Sequence, residues 1–207
     1  MTLPPSFERR CHEVAEVANA APSDDAAVVA SLQDPGCFAV AFDRYFAEIH
    51  GYAARRLGSQ AADDIAAETF MTAFRKRATY DVARGSVRAW LYGIATNHLS
   101  RHRRRETRAY RALERAGVSS GDEDAQERVV DRMTAHAAHR QLAVALAALS
   151  PGDRDVLLLI ALADLSHAEV ASALGIPYGT VGSRLSRTRK KLRSALGGVS
   201  PADYRED

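Results

Sequence analysis

Several sets of residues in this chain could do chemistry. Asp63, Asp64 and Glu68 are the only dense acids on a helical stretch. Clustered carboxylates are what a nuclease or recombinase uses to hold a divalent metal. Here they lack partners elsewhere, in a pattern with no strands to scaffold them, so the enzyme reading finds neither a metal cluster nor a nucleophile. His98 and His102 stand at i, i+4, a spacing that can bind a metal, but they have no third ligand and are surrounded by Arg. Cys11 and Cys37 form no CxxC and have no His at ligand spacing, and Cys11-His12 reads as incidental. The expectation is no catalytic group, no metal and no cofactor.

What remains is the chemistry of Lys and Arg. Arg101 to Arg115 holds seven Arg against Glu106 and Glu114, and Arg184 to Arg193 holds six Lys/Arg and no acid. The whole chain of 207 residues is only +2, so the rest of it is strongly acidic. Two basic blocks on a near-neutral protein mark two places where a polyanion is held. The first block has too few acids to neutralise itself, which favours contact with phosphate. Asn97, just before it, can bond a base edge bidentately. Trp90 and Tyr92 border it, and an aromatic ring beside base suits stacking with an unpaired base. Trp90 taken alone reads more simply as a core tryptophan.

The second block belongs to a helix-turn-helix. Ser166 and Glu169 make a capping box, Val170, Ala171 and Leu174 give one apolar face, and Gly175 ends the helix. Pro177 stops that helix and pre-sets a new one from Tyr178. Val181, Leu185 and Leu192 then share a stripe, with Thr188 between them, while Thr180, Ser183, Arg184, Arg187, Lys190 and Lys191 take the other faces. This is the geometry that places a helix in a DNA major groove. A helical hairpin with a merely solvated basic face is the plainer alternative, but such a face usually mixes signs.

The elements that position these groups are all helical. Met1 to Asp34 begins as a tail, with Asp24 or Asp25 capping a short helix over Ala26 to Leu32. Cys37 to Leu57 is a helix whose Phe38, Phe42, Tyr45, Phe46, Ile49 and Tyr52 form an aromatic core face. Ala61 to Thr79 follows, burying Ala66, Phe70, Ala73 and Phe74. Its Asp64, Glu68, Met71 and Arg75 share another face. Spacing leaves open whether that face serves helix-dipole stabilisation or docking. Ser86 caps a helix from Val87 to about Arg105. Ala116 to Arg132, with its Gly, Ser and acids, is a flexible acidic linker. Arg140 to Leu149 is helical, and Ser150-Pro151-Gly152-Asp153 starts a helix to Ala163. The fold class is all-α: two small helical domains joined by a flexible acidic linker, the C-terminal one a helix-turn-helix. No apolar run is long enough for a signal peptide or a membrane span, so no membrane partner is expected and the cytoplasm is the default compartment.

In this order the parts resemble an RNA polymerase sigma factor of the sigma-70 family, in its extracytoplasmic-function (ECF) group. ADDIAAETFMTAF is similar to the family's core-binding helix. WLYGIATNHLSRHRR is similar to the segment that melts and reads the −10 element. LSPGDRDVLLL with LSHAEVASALGIPYGTVGSRLSRTRKKL is similar to the −35-reading domain. The resemblance implies a tail over 1–34, a region 2 domain over 35–115, a linker over 116–138, a region 4 domain over 139–197 and a tail over 198–207.

It also implies roles. Asp63, Asp64, Glu68 and Phe70 would lie on or support the helix that docks on the β′ clamp helices of core polymerase, whose β flap is a second contact. Trp90 and Asn97 would border the pocket for a flipped −10 base. His98, Arg101, Arg103 and Arg104 would hold the displaced strand or its phosphates. Thr180, Ser183, Arg184, Arg187 and Lys190 would read and grip the −35 duplex. Promoter DNA and core polymerase are the implied partners, and the family commonly pairs with an anti-sigma factor. One departure stands out: Gly182 occupies a position where the family often has a basic residue. A regulator with only a C-terminal helix-turn-helix would leave Trp90, Asn97 and the first basic block without a role.

Overall fold

The computed structural model describes residues 23–115, 141–142 and 144–196, with residues 105–115 as backbone only. The linker and the outer tails expected from the sequence lie outside the described residues. Every regular element among those described is a helix.

The short helix expected near the N-terminus is present as α1 (Asp24–Ala30), starting and ending two residues earlier than expected. Its N-cap is Ser23, whose Oγ accepts from Ala26 N at 3.2 Å, and not Asp24 or Asp25. Both acids are thereby free to reach across the fold. Val28 and Ala27 on α1 are buried in the first domain's core. A 3-10 turn over Pro35–Phe38, started by Asp34, leads into α2 (Ala39–Leu57). α2 is an aromatic helix as expected, with Tyr45, Ile49 and Tyr52 buried. Phe42 departs from that reading: it is 42 % exposed, its ring resting on Phe46 and Phe70.

Gly58, at φ 88, breaks the chain between α2 and α3 (Ser59–Lys76). A left-handed turn of this kind suits glycine because no Cβ meets the backbone. α3 is followed by 3-10 turns over Arg77–Thr79 and Val82–Arg84 and then by α4 (Val87–Arg115), longer than the sequence pattern indicates. Ala62, Ile65, Ala66, Phe70 and Ala73 of α3 meet Leu91, Ile94, Ala95 and Leu99 of α4 in the same core as α2.

In the second domain, Ser150 caps α5 (Pro151–Ala163) by accepting from Asp153 N at 3.3 Å. Asp164 ends α5 in the left-handed region at φ 50, where a short polar side chain is tolerated. α6 (His167–Leu174) has the expected capping box. Glu169 N donates to Ser166 Oγ at 3.3 Å and Ser166 N donates to Glu169 Oε2 at 2.9 Å. Gly175, left-handed at φ 61, and Pro177 make the turn into α7 (Tyr178–Ala195). Val156, Leu159, Leu165, Val170, Val181 and Leu185 fill the space between α5, α6 and α7.

The two domains also pack on each other. Their buried side chains form one cluster. Arg56, its side chain only 3 % exposed, donates to Tyr52 Oη at 2.8 Å and pairs with Asp155 of α5 at 2.8 Å. A buried charge keeps its ionised form only with such partners. No helix among the described residues is long and apolar enough to cross a membrane.

Candidate nucleic-acid interface

The sequence-predicted residues fall on three surfaces. The first is the outer face of α3. Asp63, Asp64 and Glu68 are all exposed there, and Met71 joins them at 54 % exposure. Asp63 Oδ1 lies 3.0 Å from His50 Nε2. Phe70 is on the opposite side, buried against Phe42 and Phe46, so it supports the face from beneath.

The second surface is on α4. Asn97 is exposed and Trp90 is half-buried. The Trp90 ring lies 5.0 Å from that of Tyr80, tilted by 43°. Tyr80 is fixed from two sides: its single hydroxyl proton is shared between Asp25 Oδ1 of α1 and Gly85 O, the latter at 3.0 Å. The same Asp25 oxygen accepts from Val87 N, the first residue of α4, at 3.1 Å. Burial and then the bond to Asp25 push the Tyr80 phenol well above its usual range, so it stays a donor. Asp24, beside it, takes Arg44 and the hydroxyl of Tyr45.

Arg101 and Arg104 are exposed one and two turns beyond Asn97. His98 does not share their outward face. Its Nδ1 lies 2.9 Å from Glu68 Oε2 and its Nε2 lies 3.0 Å from Thr72 Oγ1. It ties α4 to α3, because position 98 is one residue, about 100°, round the helix from Asn97. Arg103 is half-buried on the side of the second domain. After burial, its charge is the next cause that lowers the pKa of Arg154.

The third surface is α7. Ser183 and Lys190 are exposed, and Thr180 is half-buried with its C=O accepting from Ser183 Oγ at 3.1 Å. Arg184 lies over Gly152, where a Cβ would meet its guanidinium. Arg187 is exposed but engaged: it donates to both oxygens of Asp153 on α5. Those bonds hold the Asp153 carboxyl below the usual carboxylate range although burial pulls the other way. Gly182 faces open space, so no atom occupies the place where a longer side chain would extend the reading face. Tyr178, 64 % exposed at the head of α7, is a candidate the sequence reading passed over. Asp25 and Tyr80 were passed over as well. Among the described residues no group of His, Cys, Asp and Glu could hold a metal ion.

Comparisons with known proteins match two stretches of the chain. Residues 41–109 match the family model for sigma-70 region 2, and residues 139–192 match that for sigma-70 region 4. The chain is 34 % identical over 147 residues to the probable RNA polymerase sigma-C factor of Mycobacterium bovis, covering 69 % of this chain and 72 % of that protein. It is 32 % identical over 171 residues to the ECF RNA polymerase sigma factor SigW of Bacillus subtilis, covering 79 % and 90 %. Among solved structures, CnrH in complex with the cytosolic domain of CnrY has the same fold, with a TM-score of 0.57 at 24 % identity over 86 % of this chain and 99 % of that one. RpoE in complex with the anti-sigma factor NepR from Bartonella quintana aligns at a TM-score of 0.53, also at 24 % identity, over 77 % and 96 %. The matched regions and the full-length relatives agree: this chain belongs to the sigma-70 family, in the ECF group, and serves promoter-specific initiation of transcription with RNA polymerase.

Proposed function

We propose that the three surfaces divide a sigma factor's work. Asp63, Asp64, Glu68 and Met71, backed by Phe70, dock on core polymerase. Trp90 and Asn97 border the pocket for an extruded −10 base, and Arg101 and Arg104 hold the phosphates beyond it. Arg103 joins them once the second domain moves away. Thr180, Ser183, Arg184 and Lys190 read and grip the −35 duplex, with Arg187 partly committed to Asp153. His98 serves as the strut between the docking helix and the reading helix.

The observation that carries this reading is the Glu68–His98–Thr72 tie. It fixes an exposed acidic face on α3 against a helix whose outward side presents Asn97, Arg101 and Arg104. A protein that must grip a second protein and a nucleic acid in fixed relation needs that kind of join. Neither DNA contact need be tight alone, because two modest sites on one tethered chain act through effective concentration. Extrusion of a base costs a few kcal/mol, which the pocket contacts offset. No covalent chemistry is required of the chain, and the cytoplasm is where polymerase and promoter would be met. An anti-sigma partner is part of the proposal, because the solved structures it resembles include CnrH in complex with the cytosolic domain of CnrY and RpoE in complex with the anti-sigma factor NepR.

Co-elution of the purified chain with bacterial core polymerase tests the assignment. Wild type is expected to bind and to start transcription at a cognate promoter. The Asp64→Ala/Glu68→Ala double variant is expected to bind weakly. Undiminished binding by that variant would remove the docking face from α3.

A further inference from the structure

Two arginines of α7 lie against one turn of α5, and that turn treats them differently. Arg184 and Arg187 are three residues apart, so they are neighbours on the helix surface. Facing them are Gly152 and Asp153, consecutive residues in the first turn of α5. Asp153 takes Arg187 through both carboxylate oxygens. Gly152 offers no side chain at all. A Cβ at that position would stand 2.7 Å from Arg184 Nη1 and 3.2 Å from its Cζ. The guanidinium of Arg184 therefore rests in the space that a larger residue at 152 would fill. Among the described residues Arg184 makes no hydrogen bond and no ion pair.

Backbone conformation does not call for this glycine. The described glycines with positive φ are Gly58, Gly85 and Gly175, so the chain at 152 is open to other residues. A helix prefers alanine to glycine, and α5 forgoes that preference in its first turn. The three atoms nearest to a Cβ there all belong to the head of Arg184. Charge does not explain the placement either. A helix N-terminus carries partial positive charge, and the nearby carboxylate of Asp153 is already answered by Arg187. Arg184 is held by packing, and its five N–H donors stay open. An open guanidinium fork suits a phosphate or a base edge. Ordering it in advance lowers the entropy lost on binding.

We infer that Gly152 is a positioning residue for −35 recognition. Its missing Cβ is the seat that holds the Arg184 fork ready for the duplex, while Asp153 beside it keeps Arg187 for the fold. The first turn of α5 thus sorts two chemically identical side chains into one that grips DNA and one that braces the helix. This rests on the role proposed above for Arg184.

The test uses the full chain bound to core polymerase, with a duplex carrying the −35 sequence that this complex selects from a random pool. Arg184→Ala should weaken binding about tenfold. Gly152→Ala should reproduce most of that loss, because the added methyl lifts the guanidinium off α5. The same variant should melt at or above the wild-type temperature, since alanine is the better helix former. In the double variant, Gly152→Ala should add nothing to Arg184→Ala. A further readout needs neither polymerase nor DNA. In the isotope-labelled chain the Nε–H resonance of Arg184, identified by its absence from Arg184→Ala, should shift in Gly152→Ala. That of Arg187, held by Asp153, should stay in place.

Wild-type affinity in Gly152→Ala beside weak binding in Arg184→Ala overturns the inference and leaves the role of Arg184 standing. An unmoved Arg184 resonance overturns it as well. A loss of affinity matched by a fall in melting temperature would make Gly152 structural. A further loss in the double variant would show that Gly152 acts on something other than Arg184. Wild-type affinity in Arg184→Ala would instead strike the proposed role of Arg184 itself.

Discussion

Arg187 holds Asp153 with two hydrogen bonds, Nη2 to Oδ1 at 2.7 Å and Nε to Oδ2 at 3.2 Å. The pair joins the first turn of α5 to the middle of α7 across 34 residues of sequence. Asp153 is buried, with a side-chain exposure of 4 %, so its carboxylate depends on Arg187, and next on a hydrogen bond from the Ser150 side chain, for compensation. Arg187→Ala is therefore expected to lower the melting temperature of the chain as well as −35 affinity. Lys190→Ala, on an exposed side chain, should lower affinity alone. Thermal melts beside duplex binding separate the two effects, and equal melts for both variants would show that Arg187 has no structural share.

The same pair sets a pH dependence. The Asp153 pKa is depressed in the folded state by Arg187. The unfolded carboxyl, with an ordinary pKa of about 3.9, therefore takes its proton first as pH falls. The stabilisation is fully present above that value and is lost as pH drops through the folded pKa. Acid titration of the folded fraction should show this loss in wild type, and Arg187→Ala should flatten it.

Much of the second domain was legible because its signals are local. Ser166 and Glu169 are three residues apart and cap each other as their spacing requires. Gly175 and the Ser150 cap likewise act within one turn. The aromatic face of α2 was legible by period, apart from Phe42, which sits at the edge of the stripe and is left half outside. What was not legible depends on partners far away in sequence. His98 looked like one more member of a basic face until α3 brought Glu68 and Thr72 to it. Asp25 looked like a capping acid, and its partners lie 55 and 62 residues on. The approach of Arg184 to α5 left a trace in Gly152, but a bare glycine does not say what approaches it.

Asp25 is expected to matter to promoter opening, though it lies before the residues that match region 2. One of its oxygens receives both Tyr80, which carries Trp90, and the start of α4. Asp25→Ala removes the acceptor of both bonds and should slow opening by about tenfold or more, each bond being worth about 1 kcal/mol. Asp25→Asn keeps an accepting oxygen and should restore most of the rate. Tyr80→Phe combined with Asp25→Ala should be less than additive, because the two changes share the loss of the Tyr80–Asp25 bond. Opening can be followed by the reactivity of unpaired thymines, with polymerase binding measured alongside as the control. Rescue failing in Asp25→Asn would place the effect in charge and not in the bond.

Thr188 is buried on the apolar stripe of α7, and among the described residues its hydroxyl is the buried side-chain group with no hydrogen-bond partner. An unmade bond of this kind costs about 1–3 kcal/mol. Thr188→Val keeps the branched shape and removes the hydroxyl, so it should raise stability by about 1 kcal/mol. Denaturant unfolding decides it: a midpoint that falls would mean the hydroxyl has a partner in solution, such as a bound water.

Asn97 and Lys190 should fail at different steps. Asn97 is exposed on α4 and lines one cleft with Trp90, where the extruded base is proposed to sit. A bidentate contact to a base edge is worth about 1–3 kcal/mol of discrimination. Asn97→Ala should therefore slow promoter opening by roughly tenfold or more, while the first, closed complex with duplex promoter forms normally. Removal of Lys190, the phosphate contact proposed on α7, should weaken that first complex and lower the salt slope by about one. The opening step, once the complex is saturated, should then run at the wild-type rate. Rapid mixing with a promoter carrying a fluorescent base in the −10 element resolves the two steps in one experiment. If Asn97→Ala weakened the first complex and left opening untouched, α4 would be a duplex-binding helix, and the pocket assigned to Trp90 and Asn97 would be wrong.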